Sequence, residues 1–287
     1  MISAEKNKKL MPVEEAHVCL LFLLKQINRI CEVNKIVYLA HAGTLLGAVR
    51  HTGFIPWDDD MDLIMERKYY SAFVKACEES LPDEVLIRTR ENDPFFCEEY
   101  VKICYKDDKF NYSDLAIDIF FLDETDPSRK VFRAFQNMVI KGVRPLKLYK
   151  VSRKCNYMGK YIPQNKIKHL LLQTFSFIPL KLLTNVQSWA MTADKHTSDY
   201  FVDWGSMAGY KRATRPKYFY AKPEKIPFEN MYVYASKNRC EVLEFGYGKD
   251  YMTPPPPEKW HVHNVMKINN SRISYTEIKK EVKNNDK

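Results

Sequence analysis

With 287 residues, 45% of them hydrophobic, the chain can bury a full core and suits one large domain or a catalytic domain with a helical addition. A net charge of +9 and an isoelectric point near 9.0 point to anionic partners: a nucleotide, an anionic glycan or lipid, or a membrane surface. Lysines spread along the chain without a recognition-helix or zinc-finger pattern argue against a nucleic acid.

Pro12 with Glu14 and Glu15 starts a helix that runs to about Val33, where Asn34 ends it. Ile36 to Ala40 reads as a strand leading into a glycine turn. Gly43 would let the backbone approach a phosphate closely, and Thr44 opens a short helix whose N-terminal amides point at anions. Gly43 also suits an ordinary turn. Arg50 can hold a phosphate bidentately and His51 can donate to one, while both also suit structural roles.

The run Asp58-Asp59-Asp60-Met61-Asp62 leads into the apolar Leu63-Ile64-Met65, and the period of two puts Asp60 and Asp62 on one face of a strand. Such crowded carboxylates repel one another, so they call for a compensating cation or several hydrogen bonds. Two convergent carboxylates make a hard, oxygen-rich set for Mg²⁺ or Mn²⁺. Asp58 and Asp59 also fit a solvated or capping turn.

Arg67 to Leu81 is an amphipathic helix, followed by strands over Val85 to Arg90, Tyr100 to Tyr105 and Ala116 to Leu122. Asp118 lies inside that last apolar strand, where a buried charge needs a partner: a metal shared with Asp60 and Asp62, or a lysine or arginine. Asp123 and Glu124 read as loop acids beyond it. From Pro127 to about Asp194 the pattern is helical, over Val131 to Val143 and Ile167 to Trp189, with interruptions at Pro145, Pro163 and Pro179.

Residues 169–183 are strongly apolar but too short and broken to span a membrane. They read as the core of a helical subdomain or, flanked by Lys166, Lys168 and Lys181, as a face lying on a membrane. The stretch from about Asn264 reads as solvated and frayed. Seven cysteines (Cys19, Cys31, Cys77, Cys97, Cys104, Cys155, Cys240) form no CxxC pair and read as reduced thiols. His261-x-His263 lacks cysteines at ligand spacing, which argues against zinc. Met1 to Lys9 is polar and Val18 to Leu24 too short for a secretory signal, so the expected location is cytoplasmic, at the inner face of the membrane if 169–183 contacts lipid.

Several of these features recur together at fixed spacing: Gly43-Thr44, Leu46-Gly47-Ala48-Val49-Arg50, Ile55-Pro56-Trp57, and Asp58, Asp60 and Asp62 in alternation. The segment from Leu39 to Met65 thereby resembles the signature of the LicD family, which includes fukutin-related proteins within the nucleotidyltransferase-fold superfamily. Leu115 to Asp123 resembles the family's second motif, with Phe121 where the pattern usually has proline. Tyr247-Gly248, Tyr251-Met252 and the Pro254 to Pro257 run resemble its closing motif, while residues 125–215 match loosely.

The resemblance implies an α+β fold, a polymerase-beta-like mixed sheet with packed helices and a helical insertion. Its parts would be a catalytic core over 1–125, the insertion over 126–200, a completing segment over 201–265 and a solvated tail over 266–287. It implies transfer of a phosphorylated alcohol, most often phosphocholine from CDP-choline, to a sugar of a cell-surface glycan such as lipopolysaccharide or teichoic acid, free or lipid-linked, with release of CMP. Asp60, Asp62 and Asp118, with Asp58 beside them, would hold Mg²⁺ or Mn²⁺, and Asp118 would activate the acceptor hydroxyl. Gly43, Thr44, Arg50 and His51 would meet the donor phosphates. A choline moiety calls for an aromatic box or a nearby carboxylate; Trp57, Trp260, Tyr247 and Tyr251 are candidates for the box, although each suits the core better. The alternatives are a CDP-ribitol or CDP-glycerol transferase, a nucleotidyltransferase releasing pyrophosphate, and a non-catalytic nucleotide-binding protein.

Overall fold

The computed structural model describes residues 10–93, 95–108, 113–153, 165–194, 196, 198–205, 209–260, 267–268, 270 and 273–283. Pro163, Cys155 and the His261-x-His263 pair lie outside them. The chain divides into two bodies, one made of Met1–Ile87, Lys102–Phe121 and Tyr218–Lys287, the other of Arg88–Val101 and Leu122–Lys217.

The first body is built around helix α1 (Val13–Val33), whose Cys19, Leu20, Leu23, Leu24 and Ile27 are fully buried. The helix ends where the Asn34 backbone and side-chain amides both donate to the Ile30 carbonyl, at 3.1 and 2.9 Å. Strand β1 (Tyr38–Ala40), helix α2 (Ala42–His51) and strand β2 (Met61–Glu66) follow, β1 and β2 pairing antiparallel with Leu39 opposite Ile64. A 3-10 turn, Arg67–Tyr69, leads into α3 (Tyr70–Ser80). Then come β3 (Val85–Arg88), β4 (Val101–Tyr105) and β5 (Ala116–Glu124), in the strand order β1-β2-β5-β4-β3. Helix α1 packs against α3 and is tied to β4 by the Tyr105 hydroxyl, which donates to the Cys19 carbonyl at 2.9 Å.

In the second body α4 (Lys130–Ser152) continues through Pro145 to Ser152, beyond the interruption expected there. The lost backbone hydrogen bond is offset by burial of Leu146 and Tyr149 against Leu172 and Leu183. Leu172 belongs to α5 (Lys166–Thr174), whose Asn165 side chain caps it by accepting from the Lys168 amide at 3.0 Å. Leu183 belongs to α6 (Leu180–Thr192), which starts after Pro179. The fully buried Lys147 ammonium sits 3.0 Å from Glu99 and 2.8 Å from the Gln187 carbonyl, and Glu99 also accepts from Arg90 at 3.0 Å.

Strand β6 (Tyr200–Asp203), the short α7 (Gly209–Ala213) and β7 (Thr214–Pro216) complete this body. Val202 lies opposite Asp123, so Asp123 and Glu124 are strand residues and not loop acids; Asp123 is buried, and Lys217 pairs with Glu124 at 2.6 Å. Cross-strand pairing, invisible locally, extended β5 past the point where its apolar run ends.

Returning to the first body, β8 (Pro223–Phe228) and β9 (Met231–Ser236) form an antiparallel hairpin, followed by α8 (Arg239–Tyr247). Helix α9 (Tyr275–Lys283) buries Ile278 and Val282 and packs on α1, which corrects the solvated reading for those residues: the two apolar positions, four apart, make one sticky face on a charged helix. The α+β class is as expected. Cys19, Cys31, Cys77, Cys97, Cys104 and Cys240 are free thiols, and burial pushes Cys19, Cys31 and Cys97 up to about 12, which makes them poor nucleophiles. Among the described residues no helix is long and apolar enough to cross a membrane.

Candidate active site

An open cleft of about 510 Å³ in the first body is lined by Gly43, Leu46 and Arg50 from α2, Trp57, Asp58, Asp60 and Asp62 around the start of β2, and Tyr247, Asp250, Tyr251 and Lys259 from the C-terminal segment. Its size is that of a small-molecule site. The alternation predicted from sequence is realised: Asp58, Asp60 and Asp62 all face the cleft, while Asp59, out of phase, is buried and does not line it.

Asp62 and Asp58 are held through their backbone groups. The Asp62 N–H donates to the Thr44 hydroxyl at 2.8 Å, and the Asp62 carbonyl accepts from the His41 N–H at 3.0 Å, so the start of α2 is fastened to the start of β2. The Thr44 hydroxyl therefore fixes Asp62. The Asp58 N–H donates to the Ile55 carbonyl at 2.9 Å, and the Asp58 carbonyl lies 2.7 Å from His17 Nε2, whose ring stacks on Phe54 at 4.1 Å. Burial lowers the pKa of His17, favouring the neutral ring. A side chain on Gly43 would put its Cβ 2.9 Å from Asp58 Oδ2, so the glycine leaves room for that carboxylate.

Burial, together with the charges of Asp60, Asp118 and Asp58, holds the Asp62 carboxyl well above the usual carboxylate range; Lys102 acts the other way. Asp118 on β5 pairs with Lys102 on the neighbouring β4, with Nζ 2.7 Å from Oδ1 and 3.0 Å from Oδ2. Of the two partners that sequence allowed for Asp118, the structure displays the lysine. Lys102 was missed: it is the one charge in Val101-Lys102-Ile103-Cys104-Tyr105, but its pairing with Asp118 depends on β4 lying beside β5. As they stand, no three His, Cys, Asp or Glu side chains among the described residues are gathered as a metal cage. The donor chemistry nevertheless fits a hard divalent cation: several carboxylates, one pushed toward neutrality by burial and by the others, with an ammonium beside them.

Arg50 donates through Nε to His51 Nε2 at 2.9 Å and through Nη1 to the Tyr251 carbonyl at 3.1 Å, and its guanidinium lies 6.0 Å from the Trp57 ring. Burial lowers the pKa of Arg50, and burial with the neighbouring Arg50 lowers that of His51. Arg50 lines the cleft, whereas His51 packs its ring edge-on to Trp57 at 6.2 Å and serves to hold Arg50. Trp57 and Trp260 stack at 4.0 Å with parallel planes. The core alternative for the candidate aromatic rings is overturned for Tyr247 and Trp260, which are exposed; Trp57, Tyr247 and Tyr251 present their surfaces to the cleft. Asp250 and Lys259 are cleft charges for which the sequence offered no periodic signal.

Residues 35–140, which hold every α2 and β2 member of this cleft together with Lys102 and Asp118, match the sequence model described as "LicD/FKTN/FKRP, nucleotidyltransferase domain". Over 269 residues the chain is 30% identical to the lipopolysaccharide cholinephosphotransferase LicD of Haemophilus influenzae, covering 90% of this chain and 97% of that protein. The chain belongs to the LicD family. This LicD-family chain is also 42% identical, over 62 residues, to the uncharacterized protein RP689 of Rickettsia prowazekii, a match covering 22% of this chain and 23% of that one.

Proposed function

We propose that the chain transfers phosphocholine from CDP-choline to a sugar hydroxyl of a cell-surface glycan, on the cytoplasmic side of the membrane. The acceptor oxygen attacks the phosphorus bearing choline, the bond from that phosphorus to the oxygen shared with the CMP phosphate breaks, and CMP leaves with a phosphodiester formed. The observation that carries this reading is one cleft offering three kinds of contact: the carboxylates of Asp58, Asp60 and Asp62, the cations of Arg50 and Lys259, and the rings of Trp57, Tyr247 and Tyr251. The name of the Haemophilus relative points to the same chemistry.

Asp60 and Asp62, with Asp58 and Asp118, would hold Mg²⁺ or Mn²⁺, which when bound neutralises the donor phosphates and makes the acceptor hydroxyl more acidic. Arg50 and Lys259 bind the CMP phosphate, Gly43 keeps the floor of the cleft open, and Thr44 keeps Asp62 in place. Asp118, oriented by Lys102, takes the proton of the attacking hydroxyl. The three rings hold the quaternary ammonium. A second reading, nucleotidyl transfer, is favoured by the description of the matched domain.

Incubation with CDP-choline labelled in the choline, Mg²⁺ and membrane glycans of the source organism separates the two. Labelled glycan with stoichiometric CMP is the expected result. Pyrophosphate released from CTP, with no CMP from CDP-choline, would replace this reading with the second.

A further inference from the structure

The basic residues are spread along the chain, but the acidic ones are not. Residues 130–193 contain 12 lysines and arginines and no aspartate or glutamate, while the rest of the chain has 33 basic and 36 acidic residues and is net negative. The whole positive excess therefore belongs to the segment that forms α4, α5 and α6.

Within that segment α5 faces the wrong way for a helix surrounded by water. It buries only Leu172, whereas Ile167, Leu170 and Leu171, and Phe175 just past its end, are exposed; from Ile167 they lie three, four and eight residues on, along one helical face. The turn into α6 adds Phe177, 78% exposed, and Leu182. Isolated exposed apolar residues need no explanation, but a contiguous helical face and turn of them does. Lys166, Lys168 and Lys181 are exposed at its borders.

We infer that the α5–α6 face docks on an anionic lipid bilayer, with Phe175, Phe177 and the leucines entering the headgroup boundary and the lysines meeting lipid phosphates. An apolar face without a carboxylate, ringed by lysines, is the arrangement that such a surface selects, and an acid-free stretch of this length removes the repulsion that would oppose it. No helix in it is long and apolar enough to cross the bilayer, so the contact is peripheral.

The test is co-sedimentation of the full chain with vesicles of phosphatidylcholine alone and of phosphatidylcholine with about one third phosphatidylglycerol. Binding is expected to the anionic vesicles and to fall as salt rises from about 0.1 M to about 1 M, where the Debye length shrinks from roughly 10 to 3 Å. Phe177→Ser should weaken it roughly tenfold, and neutralising Lys166, Lys168 and Lys181 by about fivefold each. All four side chains are exposed, so the variants should keep the wild-type circular dichroism spectrum, and Val33→Ser, an exposed apolar position in the other body, should bind as wild type. Failure to bind anionic vesicles, or binding indifferent to Phe177 and the lysines, overturns the inference. So does concentration-dependent self-association in solution that Phe177→Ser abolishes, which would make the occupant a second copy of the chain.

Discussion

Gly47 lies in α2, where replacing glycine by alanine ordinarily stabilises a helix by about 1 kcal/mol. Here the sign reverses. A Cβ on Gly47 would stand 2.5 Å from the Gly53 carbonyl oxygen, 3.1 Å from the Ile55 nitrogen and 3.3 Å from the Phe54 carbonyl carbon, all of them backbone that cannot rotate away. Overpacking of this kind costs about 3 kcal/mol, so Gly47→Ala should destabilise by about 2 kcal/mol net and lower the melting temperature by roughly 4–8 °C. The strand of chain it displaces is the one that delivers Trp57, Asp58, Asp60 and Asp62, so donor binding should weaken as well. Gly142→Ala in α4 is the control, because nothing lies within 4 Å of its added Cβ; it should gain roughly 0.5–1 kcal/mol. Thermal and urea unfolding followed by circular dichroism reads both signs. A Gly47→Ala protein as stable as the wild type would refute the close approach of α2 to residues 53–55.

Thr44→Val keeps the shape but removes the acceptor of the Asp62 N–H, and should cost about 1–3 kcal/mol in urea unfolding and weaken donor binding without touching a donor contact. Asp62→Asn should raise the melting temperature in metal-free buffer while abolishing transfer: the folded chain holds this carboxyl above its unfolded pKa, so its ionisation at neutral pH opposes folding, and the amide removes that penalty. A melting temperature that falls would contradict the crowding of the carboxylates. Lys147→Met strips Glu99 and Gln187 of a fully buried partner and should destabilise by about 3 kcal/mol, the lower end of the range because Arg90 still holds Glu99. A loss below about 1 kcal/mol in the urea midpoint would show that this pair is hydrated in solution.

What the sequence disclosed follows from the range of each signal. The alternation of Asp58, Asp60 and Asp62 is a property of adjacent residues, and it survives in the cleft although only Asp62 lies within β2, which begins at Met61. Helix α1 was legible for the same reason, its acidic start and Asn34 stop lying within one turn of its ends. The Lys102 pairing with Asp118 was not, because it depends on β4 and β5 being neighbours. The β8–β9 hairpin was also missed: its turn at Glu229-Asn230 has no glycine, Glu229 taking a positive φ of 53° while its carboxylate accepts the Phe54 N–H at 3.0 Å. That contact fixes a left-handed residue by a distant partner, which no local pattern announces. Exposure of the α5 face was one of two readings of the same apolar run, and only packing of Leu172 and Leu183 with α4 shows which side turns outward.

The central claim, a carboxylate cleft that takes a CDP-activated alcohol with a divalent cation, is tested most directly by calorimetric titration. CDP-choline, CDP-ethanolamine, CDP-glycerol and CDP-ribitol would each be titrated with and without Mg²⁺ into the wild type and Asp62→Ala. The account predicts that CDP-choline binds, that binding strengthens with Mg²⁺, and that the enhancement disappears in the variant. Binding that ignores both the metal and Asp62, or no binding of any of the four, would contradict it.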